Sequence, residues 1–120
     1  MAILAMDQYA ELIVSRLSGS AVAWRADDIG HALNAGTIPV LAPSRWLRDA
    51  DPLPHTWDVT SDSIAAWIAG TVGATQLVLV KPAGAGEDGV VDSYFARALP
   101  PNVTPVIVTA DRIELLRPED

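Results

Sequence analysis

Four consecutive apolar residues, Leu77 to Val80, lead directly into Lys81, and this run constrains the fold more than any other part of the sequence. A strand that is apolar on both faces is typical of the middle of a parallel sheet, where both faces are covered. Neighbouring parallel strands need a long crossover connection, which is usually a helix. The run therefore predicts a strand from Gln76 to Val80 in a fold that alternates strands with helices.

The rest of the chain contains the elements that such a fold needs. Apolar periodicity and helix start and stop signals predict helices at 2–17, 27–33, 62–72 and 92–99, and strands at 21–24, 37–43 and 104–109. The segment 43–60 has no clear periodicity, and long irregular segments in compact domains are often functional. We therefore expect an α/β protein with a mainly parallel sheet, and its 120 residues are the length of one domain, 1–120.

Composition excludes several classes of protein. The net charge of −7 and the scattered basic residues argue against a nucleic-acid-binding surface. The sequence has no cysteine, so disulfide scaffolds and thiolate metal sites are excluded, and we predict no metal site in the protein itself. No apolar run is long enough for a membrane span, and the first residues lack the features of a signal peptide, so we expect a cytoplasmic protein with no membrane partner. His31 and His55 lack partners at the spacing of a triad or a metal site and are predicted to be non-catalytic.

Lys81 is the only lysine in the chain, and two interpretations of it stay open. Ligands of open parallel sheets bind beyond the carboxyl ends of the strands, where Lys81 is predicted to lie, and an ammonium group suits phosphate oxygens. Alternatively, the side chain leaves the sheet and points to water. Gly84, Gly86 and Gly89 follow and would allow the backbone to approach a ligand, although glycines are also common in ordinary turns.

The polar cluster Thr60-Ser61-Asp62-Ser63 opens the predicted helix 62–72 and also has two interpretations. Thr60 or Ser61 caps the helix, and Asp62 complements its dipole. Alternatively, the hydroxyl and amide groups hold anionic oxygens, while Asp62 orients a lysine or a metal-bound group. Asp58 would then belong to the same site.

Arg45 and Arg48, in the irregular segment, are candidates for binding an anionic acceptor through bidentate hydrogen bonds. The alternative for at least one of them is a solvated surface.

The stretch WDVTSDSIAAWIAGTVGATQLVLVK, residues 57–81, resembles the central part of the amino acid kinase family, which includes aspartate, acetylglutamate and uridylate kinases. In that family a hydroxyl-Asp-hydroxyl cluster opens a buried helix, a Gly-Ala pair ends it, and an apolar strand leads to a lysine and an acidic glycine turn. The corresponding residues here are 61–63, 73–74, 76–80, Lys81 and 87–89. The segments MAILAMDQYAELI and IPVLAPSRWLRD are similar to the small homologues of the methanofuran pathway.

The resemblance implies a three-layer α/β/α fold and ATP-dependent phosphorylation of a small carboxylate, phosphate or similar acceptor, with ATP and Mg²⁺ as cofactors. It implies that Asp62 is the catalytic aspartate that organises lysines. The residues implied on the nucleotide side are Lys81, Gly86, Asp88, Gly89 and Tyr94, with Tyr94 or Phe95 beside the adenine. The residues implied on the acceptor side are Asp58, Thr60 and Ser61.

The sequence also departs from the family. The resemblance covers only the carboxyl-terminal part of the family domain, because the strand with Lys-x-Gly-Gly, a second glycine-rich turn and a later lysine are not found in these 120 residues. The predicted first helix begins at the initiating methionine without a preceding strand, so the chain is expected to be a partial domain that is weak or inactive as a kinase alone. The alternative function is a non-enzymatic subunit of a homo-oligomer that binds a nucleotide or an anion. A free sheet edge would favour dimerisation.

Overall fold

The computed structural model of the chain describes residues 3–55, 59–83 and 91–115, which form a mixed α/β structure. The helices are α1 (Ile3–Arg16), α2 (Ala26–Asn34), α3 (Ser44–Ala50), α4 (Ser61–Thr71) and α5 (Phe95–Ala98), and a 3₁₀ helix covers Ala110–Leu115. The strands are β1 (Ser20–Ala23), β2 (Ile38–Leu41), β3 (Gln76–Lys81) and β4 (Thr104–Thr109). The chain divides into two compact units, Met1–His55 and Thr56–Asp120. The assignment of 1–120 to one domain stays a prediction.

The first unit is built on the parallel pair β1–β2, in which Ser20 lies opposite Ile38 and Ala23 opposite Leu41. Helix α2 is the crossover between the two strands, and α1 packs on both of them. Gly19 follows α1 with a φ of +80°, the left-handed conformation in which glycine carries no steric penalty. The predicted end of the first helix at residue 17 is therefore confirmed to within one residue.

Helix α3 corrects the prediction that the segment 43–60 is irregular. The helix has only seven residues, so its two turns are too short to show periodicity. It is fixed by tertiary contacts: Ser44 and Leu47 are buried, and the Asp7 carboxylate of α1 accepts hydrogen bonds from the backbone N–H and the hydroxyl of Ser44. These contacts join residues far apart in sequence and are invisible to a local pattern.

The second unit is built on the parallel pair β3–β4, which is in register from Gln76 opposite Thr104 to Lys81 opposite Thr109. Its apolar core joins α4, β3 and α5 through the buried residues Ala66, Leu79 and Phe95. Within the described ranges β3 pairs with β4 alone, and the side chain of Val80 is half exposed. The prediction that β3 is covered on both faces at the middle of a sheet is therefore wrong for these residues.

Helix α5 is shorter than the predicted helix 92–99. The carboxylate of Asp92 turns back to accept the N–H of Tyr94, so the residues before Phe95 form a turn rather than helix. No helix within the described ranges has the length and apolarity needed to cross a membrane.

Candidate functional site

Lys81 and Asp62 form a partly buried ion pair in the second unit. The Nζ atom of Lys81 lies 2.7 Å from both carboxylate oxygens of Asp62. The two side chains are only 17% and 11% exposed, respectively. Of the two interpretations of Lys81, the one in which its side chain points to water is therefore wrong. The two short contacts have the charge-assisted geometry of a strong interaction.

Local structure explains why these two residues meet. Asp62 lies in the first turn of α4, and Lys81 is the last residue of β3, the strand that follows α4 along the chain. Helix α4 packs on β3, the strand that follows it, and a helix that packs on the next strand runs antiparallel to it, so the start of α4 and the end of β3 lie at the same edge. The α/β connectivity thus places the aspartate beside the lysine, although they are nineteen positions apart.

The ammonium group of Lys81 retains hydrogen-bonding capacity. An ammonium has three N–H donors. Asp62 engages Nζ through two oxygens, at 2.7 Å each, which leaves one donor for a further acceptor. The pair can therefore present an oriented cationic N–H, with the position of Nζ fixed by the carboxylate behind it.

Asp92 occupies the N-terminus of α4 and was not predicted as a site residue. Its Oδ2 accepts hydrogen bonds from the N–H and hydroxyl of Thr60, at 3.0 and 2.7 Å, and from the N–H of Ser63 at 3.2 Å. Its Oδ1 accepts from the Ser63 hydroxyl and from the Tyr94 N–H. One carboxylate thus accepts hydrogen bonds from two of the backbone N–H groups at the start of α4, those of Thr60 and Ser63, which have no partner within the helix.

The hydrogen bonds also change the pKa of Asp92. Burial alone would raise the pKa of this carboxyl, but the hydrogen bonds from the side chains and backbone of Ser63 and Thr60 stabilise its charged form. The net result is a pKa below the usual value for aspartate. Asp92 is therefore a charged carboxylate at neutral pH.

The Asp92 contacts bear on both interpretations of the 60–63 cluster. Thr60 is the N-cap of α4, and its hydroxyl accepts a long hydrogen bond of 3.4 Å from the Asp62 N–H, so capping is confirmed. The anionic oxygens at this helix end belong to Asp92 of the protein itself. The donors of Thr60 and Ser63 are therefore already engaged in this structure, whereas the part of the second interpretation in which Asp62 orients a lysine agrees with the Asp62–Lys81 contact.

The remaining predicted site residues differ in their positions. Ser61 is exposed at the first position of α4, and Tyr94 is half-buried at the N-cap of α5. Phe95 is buried in the apolar core, so it is not available to border an adenine ring. Four predicted residues lie outside the described residues: Asp58, Gly86, Asp88 and Gly89.

Sequence reasoning missed Asp92 because it stands alone in a short segment, thirty-two positions after Thr60. The one available signal was the order Asp92-Ser93-Tyr94 before a short apolar run, which is typical of a capping aspartate at a helix start. That signal points to α5, and nothing local indicates that the same carboxylate also reaches α4.

The described residues contain no group of three or more His, Asp or Glu side chains that could hold a metal ion. His55 lies beside Asp51 in an exposed pair one helical turn apart, with 2.6 Å between Nε2 and Oδ1. In the described part of the second unit, the group with a clear capacity to bind a ligand is the ion pair of Lys81 and Asp62. No protein-family model, no curated protein and no solved structure matches the chain.

Proposed function

We propose that the chain is the nucleotide-binding part of an ATP-dependent small-molecule kinase with the three-layer α/β/α fold of the amino acid kinase family. The observation that carries this proposal is the Asp62–Lys81 ion pair at the carboxyl end of β3. That edge of a parallel pair is where α/β proteins bind ligands. The pair agrees with the family resemblance, in which an aspartate at the start of a buried helix organises a lysine.

The role proposed for Lys81 is to contact a phosphate oxygen of the nucleotide. Phosphoryl transfer is catalysed mainly by positioning and by positive charge near the phosphates. Asp62 holds Nζ through both carboxylate oxygens at 2.7 Å, which removes the freedom of a long side chain before the ligand arrives. One ammonium N–H then donates to the phosphate. Lys81 is the only lysine in the sequence, so we expect slow turnover by this polypeptide alone.

The residues present fit the nucleotide in part. A lysine ammonium is a suitable donor for a phosphate oxygen, and ATP supplies the phosphoryl group when it is bound. Magnesium is usually held by one or two carboxylates together with substrate phosphates, so the described residues need no preformed cluster of carboxylates for it. Thr60 is engaged by Asp92, which leaves the exposed Ser61 as the described candidate on the acceptor side.

The proposal is tested by measuring ATP binding and ADP formation with the purified chain. Equilibrium dialysis should show saturable ATP binding that Lys81→Met weakens about tenfold or more, the value of one charged hydrogen bond. Arg97→Gln removes an exposed cation of the same unit and should leave binding unchanged. Equal loss in both variants would show that net charge alone attracts ATP, and this result would refute a site at Lys81.

A non-enzymatic nucleotide-binding protein is the second candidate function. It is favoured by the engagement of Lys81 with Asp62 and of Asp92 with the α4 N-terminus, which leaves few free donors among the described residues. ATP binding that depends on Lys81, with no ADP formed above the level of the Lys81→Met variant, would select this candidate. ADP formation that Lys81→Met abolishes would select the kinase.

A further inference from the structure

We propose that Trp24 and Arg45 of the first unit form a binding site for a small oxyanion, a phosphate or carboxylate group. The guanidinium carbon of Arg45 lies 4.6 Å from the centre of the Trp24 ring. At this distance the guanidinium interacts with the face of the indole. The site shares no residue with the Asp62–Lys81 pair and does not depend on the proposed kinase function.

The Trp24–Arg45 pair lies at the carboxyl end of the parallel pair β1–β2. Trp24 directly follows β1, and Arg45 stands four residues after the end of β2. Ala23 and Leu41, the last residues of the two strands, lie opposite each other, so both strands end at the same edge of the sheet. Ligands of parallel α/β structures bind at this edge.

The backbone that carries Arg45 is fixed. Ala42, Pro43 and Ser44 are buried, and Ser44 donates its N–H and its hydroxyl to the carboxylate of Asp7. The cation–π contact with Trp24 then restrains the far end of the side chain. A guanidinium that is restrained at both ends loses less freedom when it binds an anion than a mobile surface arginine does.

The hydrogen-bonding edges of Arg45 stay available. The contact with Trp24 is made to the face of the indole and is not a hydrogen bond, so it uses none of the five N–H donors of the guanidinium. Among the residues that the structure describes, Arg45 has no carboxylate within ion-pair distance, while Arg25 of the same unit pairs with Asp49. Arg48 lies three residues after Arg45 in α3, so it adds positive charge on the same face of the helix. Planar donors of this kind bind phosphate and carboxylate oxygens in pairs.

The test is a titration of the ¹⁵N-labelled chain with inorganic phosphate, sodium acetate or sodium chloride at matched ionic strength. The Nε–H signal of Arg45 and the indole N–H signal of Trp24 are followed by NMR. We expect saturable shifts with phosphate or acetate and none with chloride. A phosphate response alone identifies a phosphate site, and an acetate response alone identifies a carboxylate site.

Variants separate the site from general attraction of anions. Arg45→Gln should weaken binding of the responding anion about tenfold or more, and Arg45→Lys should weaken it several-fold, because lysine keeps the charge but loses the planar pair of donors. Arg97→Gln, in the second unit, should change nothing. The proposal is overturned by equal shifts with chloride, by unchanged affinity in Arg45→Gln, or by shifts that are confined to residues around Lys81.

Discussion

At the scale of single residues, the stability of variants can show whether the Asp62–Lys81 ion pair behaves as a buried interaction or as a surface contact. Asp62→Asn leaves the ammonium of Lys81 partly buried without its counter-charge, which should lower the free energy of unfolding by about 2–4 kcal/mol. Adding Lys81→Met to this variant should recover part of the loss, because the unpaired charge is removed. Urea unfolding of the single and double variants measures the coupling.

The matched control for this cycle is the exposed pair Arg25–Asp49, whose side chains are 48% and 57% exposed. Arg25→Gln should lower the free energy of unfolding by less than about 1 kcal/mol, since water screens an exposed pair. If Asp62→Asn cost no more than Arg25→Gln, the interaction at Lys81 would be a surface contact, and its proposed fixed position would be wrong.

Asp92 makes the free energy of unfolding depend on pH. The hydrogen bonds from Thr60 and Ser63 determine the direction of this dependence. Its pKa in the folded state is lowered, so the folded protein binds a proton less readily than the unfolded chain does. The stability that Asp92 contributes is therefore complete above the unfolded pKa of about 4 and is lost as the pH falls through the lower folded pKa. Asp92→Asn should lower the free energy of unfolding by about 1–2 kcal/mol at pH 7, the usual value of a helix cap.

The difference between wild type and Asp92→Asn should shrink when urea unfolding is repeated near pH 3. A difference that stays the same at both pH values would mean that the charge of Asp92 does not contribute. The contact with Ser63 can be examined by Ser63→Ala, which removes one hydroxyl donor and leaves the backbone N–H bond in place.

At the scale of elements, the close approach of α4 to the turn before β4 depends on Gly70. A Cβ atom at this position would overlap the ring of Pro100, which is stiff and cannot swing aside. Gly70→Ala should therefore lower the free energy of unfolding by about 1–3 kcal/mol, although alanine favours the helix.

Gly30 in α2 is the control for Gly70, because nothing lies within 4 Å of the Cβ position there. Gly30→Ala should raise the free energy of unfolding by about 0.5–1 kcal/mol through helix propensity alone. Thermal unfolding of the two variants gives the comparison. Stabilisation by both substitutions would show that α4 and Pro100 are not in close contact.

The elements themselves show which features a sequence can reveal. The periodic helices α1, α2 and α4 and the strand Thr104–Thr109 agree with the predictions within a few residues, because their signals are local. Helix α3 was missed because the Asp7–Ser44 contact that fixes it joins positions thirty-seven residues apart. The start of α5 lies three residues later than predicted, because a turn at Asp92 replaces the first residues of the predicted helix.

The same distinction applies to the candidate site. Asp62, Lys81 and the cap Thr60 could be found from the sequence, since helix starts and strand ends are recognisable from residue types. Their pairing followed only from the α/β connectivity and from the family resemblance. Asp92 could not be found, because its role depends on a contact across thirty-two positions.

At the scale of the whole molecule, the structure shows a mixed α/β chain with two parallel strand pairs, β1–β2 and β3–β4, in the described ranges. The expected α/β class is confirmed at this level. The continuous sheet in three layers remains part of the proposed function. Both units carry a cationic side chain near the carboxyl edge of the strand pair: Arg45 in the first, over the Trp24 ring, and Lys81 in the second, paired with Asp62.

The single lysine makes the central claim directly measurable. Protein labelled with ¹³C-lysine gives one set of side-chain signals, all from Lys81. ATP with Mg²⁺ should shift the ¹³Cε signal saturably, adenosine should not, and Asp62→Asn should reduce the affinity for ATP by weakening the hold on the ammonium. A ¹³Cε signal that does not respond to ATP, at concentrations where dialysis shows ATP bound, would contradict the claim that Lys81 contacts the nucleotide phosphates.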